Sequence, residues 1–480
     1  MTDYPRLTAG APSRPGTGIV HLGLGAFFRG HGAVYIEEAM QASGGDWGIV
    51  GVSLKRPNQR DLLRPQGYAY TTLELTADAK IPTVRNVIND VLVAPENPGA
   101  VLAVMSKSDV KIVTLTVTEK GYCHEPATGR LNQNHPDIVA DLQKPDAPQS
   151  ALGFIVRAMA RRRAAGMRPF TVLCCDNLPD NGKVLRGVVL ELAERIDSDL
   201  AAWIAENGAF PCTMVDRIVP AVTDSDVAEL AELTGVLDLS PVMHEPFRQW
   251  VIEDLFVDDQ RPDFAAVGAQ MVSDVAPFED MKLRCLNGTH SSLAYLGYLA
   301  GHHTISATVA DPVFANFVRH LWTNEIIPGL VPPEGEDLGA YAEALFRRYE
   351  NPGLQHKTWQ IAMDGSQKLP QRILGMIVDN LAAGRESKGL ILAVAAWMRY
   401  VSGTDENGQP IDVRDPLADS LKAIHEQAGD DAERVAGLLN VSAVFDAGLA
   451  ENTAFRADVT ATYQSLIEKG SRAMAAEVSK

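Results

Sequence analysis

The first half of the chain alternates short apolar, β-branched runs with helical stretches, and this alternation narrows the choice of fold more than any other feature. Residues 18–25 (GIVHLGLG), 47–54 (WGIVGVSL), 109–118 (DVKIVTLTVT) and 169–176 (PFTVLCCD) read as strands, with helices expected over about 31–43 and 150–165. Strands spaced by helices imply parallel βαβ units with right-handed crossovers, hence an open, doubly wound α/β sheet of the Rossmann-like kind. From about residue 277 the pattern changes to long 3.6-period apolar stretches such as MKLRCLNGTHSSLAYLGYLAG (281–301) and KGLILAVAAWMRYV (388–401), separated by connectors such as VPPEGEDLG and TDENGQPIDVRDP. The expected organisation is therefore a Rossmann-like dinucleotide-binding domain over 1–276, followed by a mostly α-helical substrate and catalytic domain over 277–480.

With 480 residues, 46% hydrophobic and 22% charged, the chain holds enough apolar material for two or three packed domains. A formal charge of −18 opposes a phosphate backbone over most of the surface, so nucleic acid is not an expected partner. The one basic run, Arg161-Arg162-Arg163, falls on the amphipathic stretch GFIVRAMARRRAAG and reads as a solvated helix face. Five cysteines without a C-x-x-C pair suggest neither a disulfide framework nor a zinc-finger site, and a reduced cytoplasm is the expected setting. No export signal and no apolar run of membrane-spanning length is read, so neither export nor a membrane partner is expected.

The segment IVHLGLGAFFRGH (19–31) starts like a dinucleotide-binding turn and then departs from it. Gly23 and Gly25 follow the first expected strand and precede a helix, where a missing Cβ lets backbone approach a pyrophosphate and helix amides favour an anion. The third position of G-x-G-x-x-G holds Phe28 instead of glycine. Because that glycine serves close packing of helix on sheet, Phe28 points to a variant turn.

The segment HLGLGAFFRGH resembles the G-x-G-x-F-x-R-x-H motif of the mannitol dehydrogenase family of polyol-specific long-chain dehydrogenases, with Gly23, Gly25, Phe27, Arg29 and His31 in the matching places. The family commonly has His where this chain has Phe28. The likeness continues through TVTEKGYC, CCDNLPDNG, MVDRIVP, EPFRQWVIED and MKLRCLNGTHSSLAYLGYLAG, covering nearly the whole chain. It implies an NAD-dependent oxidoreductase (NADP being the alternative) that interconverts a secondary alcohol and a ketone. The rival of another class is a non-catalytic dinucleotide-sensing or assembly protein on the same fold.

Such a reaction needs a base for the hydroxyl proton, donors for the developing oxyanion and a nicotinamide for the hydride. KLRCLNGTH offers Lys282, Asn287 and His290; at about 100° per residue, Asn287 lies about 140° and His290 about 80° from Lys282, on one broad helix face. Read alone, the three residues are equally a solvated lysine, a helix interruption at Asn287-Gly288 and a structural histidine. The resemblance makes Lys282 the general base, Asn287 an oxyanion donor and His290 a partner of a substrate hydroxyl. It likewise makes Asn177 a second oxyanion donor, places Asp216 near cofactor and substrate, and makes Glu279 a proton gate for Lys282. Beyond the second strand stand Lys55, Arg56, Asn58 and Asp61. Asn58 is the candidate for a ribose hydroxyl, while the basic pair would suit a 2′-phosphate. No Tyr-x-x-x-Lys pair and no Cys/His set for a catalytic zinc is read, so a metal-free mechanism is expected.

In HKTWQIAMDGSQKLPQR, Lys368 and Arg372 lie four apart, with Pro370 making a helix start or bend an equal reading. This stretch is more similar to the fructuronate reductase (mannonate oxidoreductase) branch of the family than to mannitol 2-dehydrogenases. There, a guanidinium at Arg372 would suit a sugar-acid carboxylate. D-mannonate and D-fructuronate are the expected substrates, with D-mannitol and D-fructose the alternative, and a monomer or weak homo-oligomer is the expected state.

Overall fold

The computed structural model describes residues 4–9, 14–125 and 128–480. The chain divides into two compact units, residues 1–276 and 277–480.

The first unit is built on a five-stranded parallel sheet in the order Ile88–Val93, Gly48–Ser53, Thr17–Leu22, Ile112–Leu115, Thr171–Cys174. The chain thus moves outward from the first strand in one direction and then in the other, the arrangement that opens a crevice at the carboxyl ends of the first strand and of Ile112–Leu115. All of these strands but Ile88–Val93 are buried on both faces, which explains their nearly unbroken apolar runs. Val20, Leu22, Val50 and Val113 point into one core with the helices Ala151–Ala164 and Asn181–Ile196, whereas Ile19, Ile49, Ile112 and Leu173 point into another with Gly32–Ser43. Sequence pattern missed Ile88–Val93, in which only Ile88, Val91 and Val93 are buried.

Two three-stranded sheets complete this unit. Thr213–Asp216 pairs antiparallel with Gln249–Glu253, which runs parallel to Gln270–Val272; the hairpin Tyr70–Leu75/Lys80–Arg85 is joined by Val242–His244. The basic run also differs from its sequence reading. Arg161 and Arg163 are at the surface, but Arg162 is only 3% exposed and donates to the carbonyl oxygens of Arg168, Lys107 and Val110. One guanidinium can satisfy several loop carbonyls at once, and that offsets its burial.

The second unit is helical. Thr289–Leu299 and Lys388–Tyr400 are buried almost all round, as apolar helices at the centre of a bundle must be. Buried Glu325 accepts from the amides of Gly389 (2.7 Å) and Leu390 (2.9 Å) at the start of the second of these helices, where a carboxylate complements unpaired N–H groups. Three stretches, Lys282–Gly288, Leu321–Ile326 and Pro370–Leu374, are π-helical. No helix among the described residues is long and apolar enough to cross a membrane.

Candidate functional site

In the first unit the turn after the first strand combines a glycine that is sterically required with one that leaves room. Gly23 has φ +89°, and a Cβ there would lie 2.2 Å from the Thr116 carbonyl oxygen, so no other residue fits. At Gly25 a Cβ would meet only the Gly23 carbonyl oxygen, 3.8 Å away. Open space therefore lies beside bare backbone at the carboxyl end of the sheet, which is what close approach of a dinucleotide phosphate needs.

Phe28 does not enter that space. Its ring is 1% exposed and stacks on His21, with centroids 3.4 Å apart and planes at 5°. Gly32 accommodates it, because a Cβ there would lie 2.7 Å from Phe28 Cε2. Helix–sheet packing thus depends on a glycine four positions later. His21 hydrogen-bonds Thr114 Oγ1 (2.8 Å) and Thr116 Oγ1 (3.0 Å), and burial pushes its pKa down to about 3.

The remaining residues of the motif anchor the turn. Phe27 stacks on His31, whose Nε2 donates to the Gln249 carbonyl oxygen at 2.9 Å. Arg29, which the resemblance to the family's dinucleotide-binding motif would place at the cofactor, is 3% exposed; it donates to the Ser240 carbonyl oxygen at 2.6 Å and lies over the Tyr70 ring. Beyond the second strand, Asn58 is an exposed residue at the start of helix Asn58–Leu63, Lys55 pairs with Asp137 at 3.2 Å, and Arg56 is exposed.

At the end of the fifth sheet strand, Asp176 spans two strand ends. Its carboxylate accepts from the amides of Val117 (2.8 Å) and Thr118 (3.2 Å) and from the Tyr122 hydroxyl (2.7 Å). Burial raises its pKa against the effect of those three donors. This brace was not recognised from sequence, where only the neighbouring Asn177 is singled out. Asn177 next to it is exposed, and Asp216, 5% exposed, closes strand Thr213–Asp216.

In the second unit, Lys282 and Asn287 occupy one π-helical segment and His290 follows in the first turn of Thr289–Leu299. The i→i+5 repeat of a π-helix puts residues five apart nearly in one row, so the 140° separation expected of an α-helix is corrected to close alignment. Lys282 is 8% and His290 7% exposed; Asn287 and Glu279 are half-buried. A π segment disturbs the regular carbonyl pattern, and here side chains make up for it. The Cys285 carbonyl oxygen accepts from Trp322 Nε1 (3.0 Å) and Thr289 Oγ1 (2.5 Å), and that of Leu286 from the Tyr349 hydroxyl (3.1 Å). Gly288 is no interruption: a Cβ there would lie 2.8 Å from the Arg372 carbonyl oxygen, so the glycine lets the π segment Pro370–Leu374 pack against it.

That packing gathers cationic groups around His290. Arg372 donates from Nη1 to Ser291 Oγ at 3.2 Å. Burial first, then His356, Arg348 and Arg372, hold the His290 imidazole well below its ordinary pKa. Lys368 donates to the carbonyl oxygens of Met363 (2.6 Å) and Ile361 (3.4 Å), so it and Arg372 serve different neighbours although four residues apart. Pro370 neither starts nor ends the helical run; the chain passes at that point from Gly365–Leu369 into the π segment. Arg348 and His356 were missed from sequence. Arg348 had a signal, since it shares the buried face of Leu338–Glu350 with Tyr341 and Leu345. His356 lies outside any helix and had none. Among the described residues, no group of three or more His, Cys, Asp or Glu is placed to hold a metal ion.

Residues 17–266 match the mannitol dehydrogenase Rossmann domain and residues 274–467 the mannitol dehydrogenase C-terminal domain. The chain belongs to the mannitol dehydrogenase family. It is 49% identical to a D-mannonate oxidoreductase of Escherichia coli over 96% of this chain and 95% of the relative. It is 40% identical to a mannitol 2-dehydrogenase of Phaeosphaeria nodorum, over 96% and 81%. Among solved structures, Pseudomonas fluorescens mannitol 2-dehydrogenase in ternary complex with NAD and D-mannitol superposes with a TM-score of 0.86 at 36% identity, covering 99% of this chain and 97% of that one. As a member of the mannitol dehydrogenase family, the protein is an oxidoreductase acting on secondary alcohols.

Proposed function

We propose that the protein is an NAD-dependent oxidoreductase that interconverts D-mannonate and D-fructuronate. The observation that carries the choice of a sugar acid is Arg372, whose guanidinium is held by Ser291 one residue from His290 and acts on the His290 imidazole together with Arg348. A planar guanidinium offers a carboxylate a matching pair of donors, which a neutral polyol cannot use fully. The relationship to a D-mannonate oxidoreductase at 49% identity supports the same substrate.

When bound, the nicotinamide accepts or returns the hydride. The open backbone at Gly25 fits the diphosphate of such a coenzyme, and the Pseudomonas fluorescens complex with NAD supports NAD over NADP. Asn58 is the proposed partner of a ribose hydroxyl, with Arg56 able to meet a 2′-phosphate. In oxidation, Lys282 as neutral amine takes the proton of the reacting hydroxyl, Asn287 and Asn177 donate to the oxygen as charge develops, and neutral His290 hydrogen-bonds a neighbouring hydroxyl. Glu279 exchanges the proton on Lys282 with solvent, and Asp216 orients coenzyme and substrate.

The test is kcat/KM for D-mannonate and D-fructuronate against D-mannitol and D-fructose, in wild type and Arg372→Met. A charge-assisted pair of roughly 1.5–3 kcal/mol predicts a selective loss of about ten- to a hundredfold on the acids. A wild-type preference for mannitol, or equal damage to both pairs, rejects the carboxylate reading. Turnover with NADP more than about tenfold better than with NAD (about 1.4 kcal/mol) reverses the choice of coenzyme.

A further inference from the structure

His356 lies beside the candidate substrate residues and the proposed mechanism leaves it unused. Its ring stands edge-on to that of His290, with centroids 5.0 Å apart and planes at 89°. Tyr349 covers His290 at 4.7 Å and 33°, and the Tyr349 hydroxyl is itself fixed by Thr289 (2.7 Å) and the Leu286 carbonyl oxygen (3.1 Å). His290 is therefore in contact with two rings at once. His356 Nδ1 is shielded from solvent and has no hydrogen-bond partner. An unpartnered N–H is rarer and costlier in a protein interior than an unpartnered lone pair, so the proton of the neutral ring belongs on Nε2.

We propose that His356 is a positioning residue of this site: its ring, as the Nε2–H tautomer, fixes the plane of His290, so that His290 meets a substrate hydroxyl in a single orientation. The inference rests on the reading of His290 as a substrate partner. Electrostatics agrees with the geometry. Burial, then Arg348 and Lys368, hold the His356 pKa down to about 4, so the ring stays neutral through the working range, and His356 in turn is one of the groups that depress His290. The groups facing the pair come from three elements: Arg348 and Tyr349 from Leu338–Glu350, Lys368 from Gly365–Leu369 and Arg372 from Pro370–Leu374.

The experiment compares full-length wild type with His356→Phe, His356→Gln and His356→Asn, using NAD with both D-mannonate and D-mannitol. Phenylalanine keeps a ring and removes both nitrogens; the glutamine amide reaches the place of Nε2, and that of asparagine the place of Nδ1. Loss of one orienting interaction predicts KM raised about three- to tenfold in the Phe and Asn variants with kcat little changed, and recovery in Gln. Equal losses in Phe and Gln, or unchanged kinetics in Phe, overturn the proposal. A readout without turnover is the ¹⁵N imidazole spectrum of wild type, with the His356 signal identified by its absence from the Gln variant. A neutral Nε2–H tautomer is expected, and an Nδ1–H tautomer overturns the proposal. Preference of every variant for mannitol would reject the sugar-acid reading and leave the His356 comparison to be read on mannitol.

Discussion

At Gly25 the first unit leaves open space beside bare backbone, whereas at Lys282 and His290 the second unit buries titratable side chains among packed rings and guanidinium groups. The first arrangement depends on where side chains are absent. It is local to one turn and closely follows the sequence. The second depends on helices distant in sequence: Thr289–Leu299, Leu338–Glu350 and the π segments at 282–288 and 370–374. Backbone that must admit a ligand is specified by a few glycines, and chemistry that must be tuned is specified by the packing around it.

Lys282→Ala attacks the second arrangement at its centre. Loss of a general base predicts a fall in kcat of about 10²–10⁴-fold, while fluorescence titration with NADH should still show coenzyme binding. Full activity would remove Lys282 from the mechanism, and loss of coenzyme binding would show that the two arrangements are not separable.

Within the first arrangement the two glycines should differ. Gly23→Ala forces a side chain onto a backbone oxygen at φ +89° and should cost about 2–4 kcal/mol in urea unfolding. Gly25→Ala should stay within about 0.5 kcal/mol, yet weaken coenzyme binding. Equal effects on stability would mean that the space beside Gly25 is structural.

Acid should separate the units themselves. His21 and His244 in the first unit, with pKa near 3, and His356 and His425 in the second, with pKa near 4, are buried neutral, and burial depresses His124 in the first and His290 in the second as well. Below the unfolded value of 6.5 the unfolded chain takes up protons that the folded one refuses. Each histidine therefore removes about 1.4 kcal/mol of stability per pH unit down to its folded pKa. Carboxyl groups raised by burial act in the opposite sense, because the folded chain protonates first as pH falls; these are Asp141 and Asp176 in the first unit and Glu325 in the second. Three histidines against two carboxyls in the first unit, compared with three against one in the second, make the second unit the more acid-labile. Hydrogen exchange resolved by peptide between pH 7 and about 4.5 should show residues 277–480 losing protection first, and the reverse order would contradict this balance.

Much of this could be read from sequence. The parallel sheet followed from β-branched runs spaced by helices, and the family from motifs spread along the chain. What escaped had physical causes. Ile88–Val93 is only partly apolar, so its pattern is weak. Arg162 looks like a surface charge until the loop carbonyls it serves are folded beneath it. The Lys282 segment shows apolar spacing compatible with an α-helix, and nothing local announces i→i+5 pairing, because the groups that sustain it, Trp322 and Tyr349, are distant in sequence. His356 reaches His290 from outside any helix.

The π segment at 282–288 also changes what a small deletion would mean. In an α-helix, removing one residue shifts everything beyond it by about 100° and is usually ruinous. A π turn carries a residue more than an α turn of the same height, so loss of one residue between Lys282 and Gly288 would let the backbone relax into a regular and better-bonded helix. If the residue lost lies between Lys282 and Asn287, those two become neighbours four apart, about 40° from one another, and still share a face. A shortened chain of this kind should fold as well as its parent and keep Lys282 and Asn287 in one row, so the extra residue is a bulge that can be gained or lost without turning the two side chains away from each other.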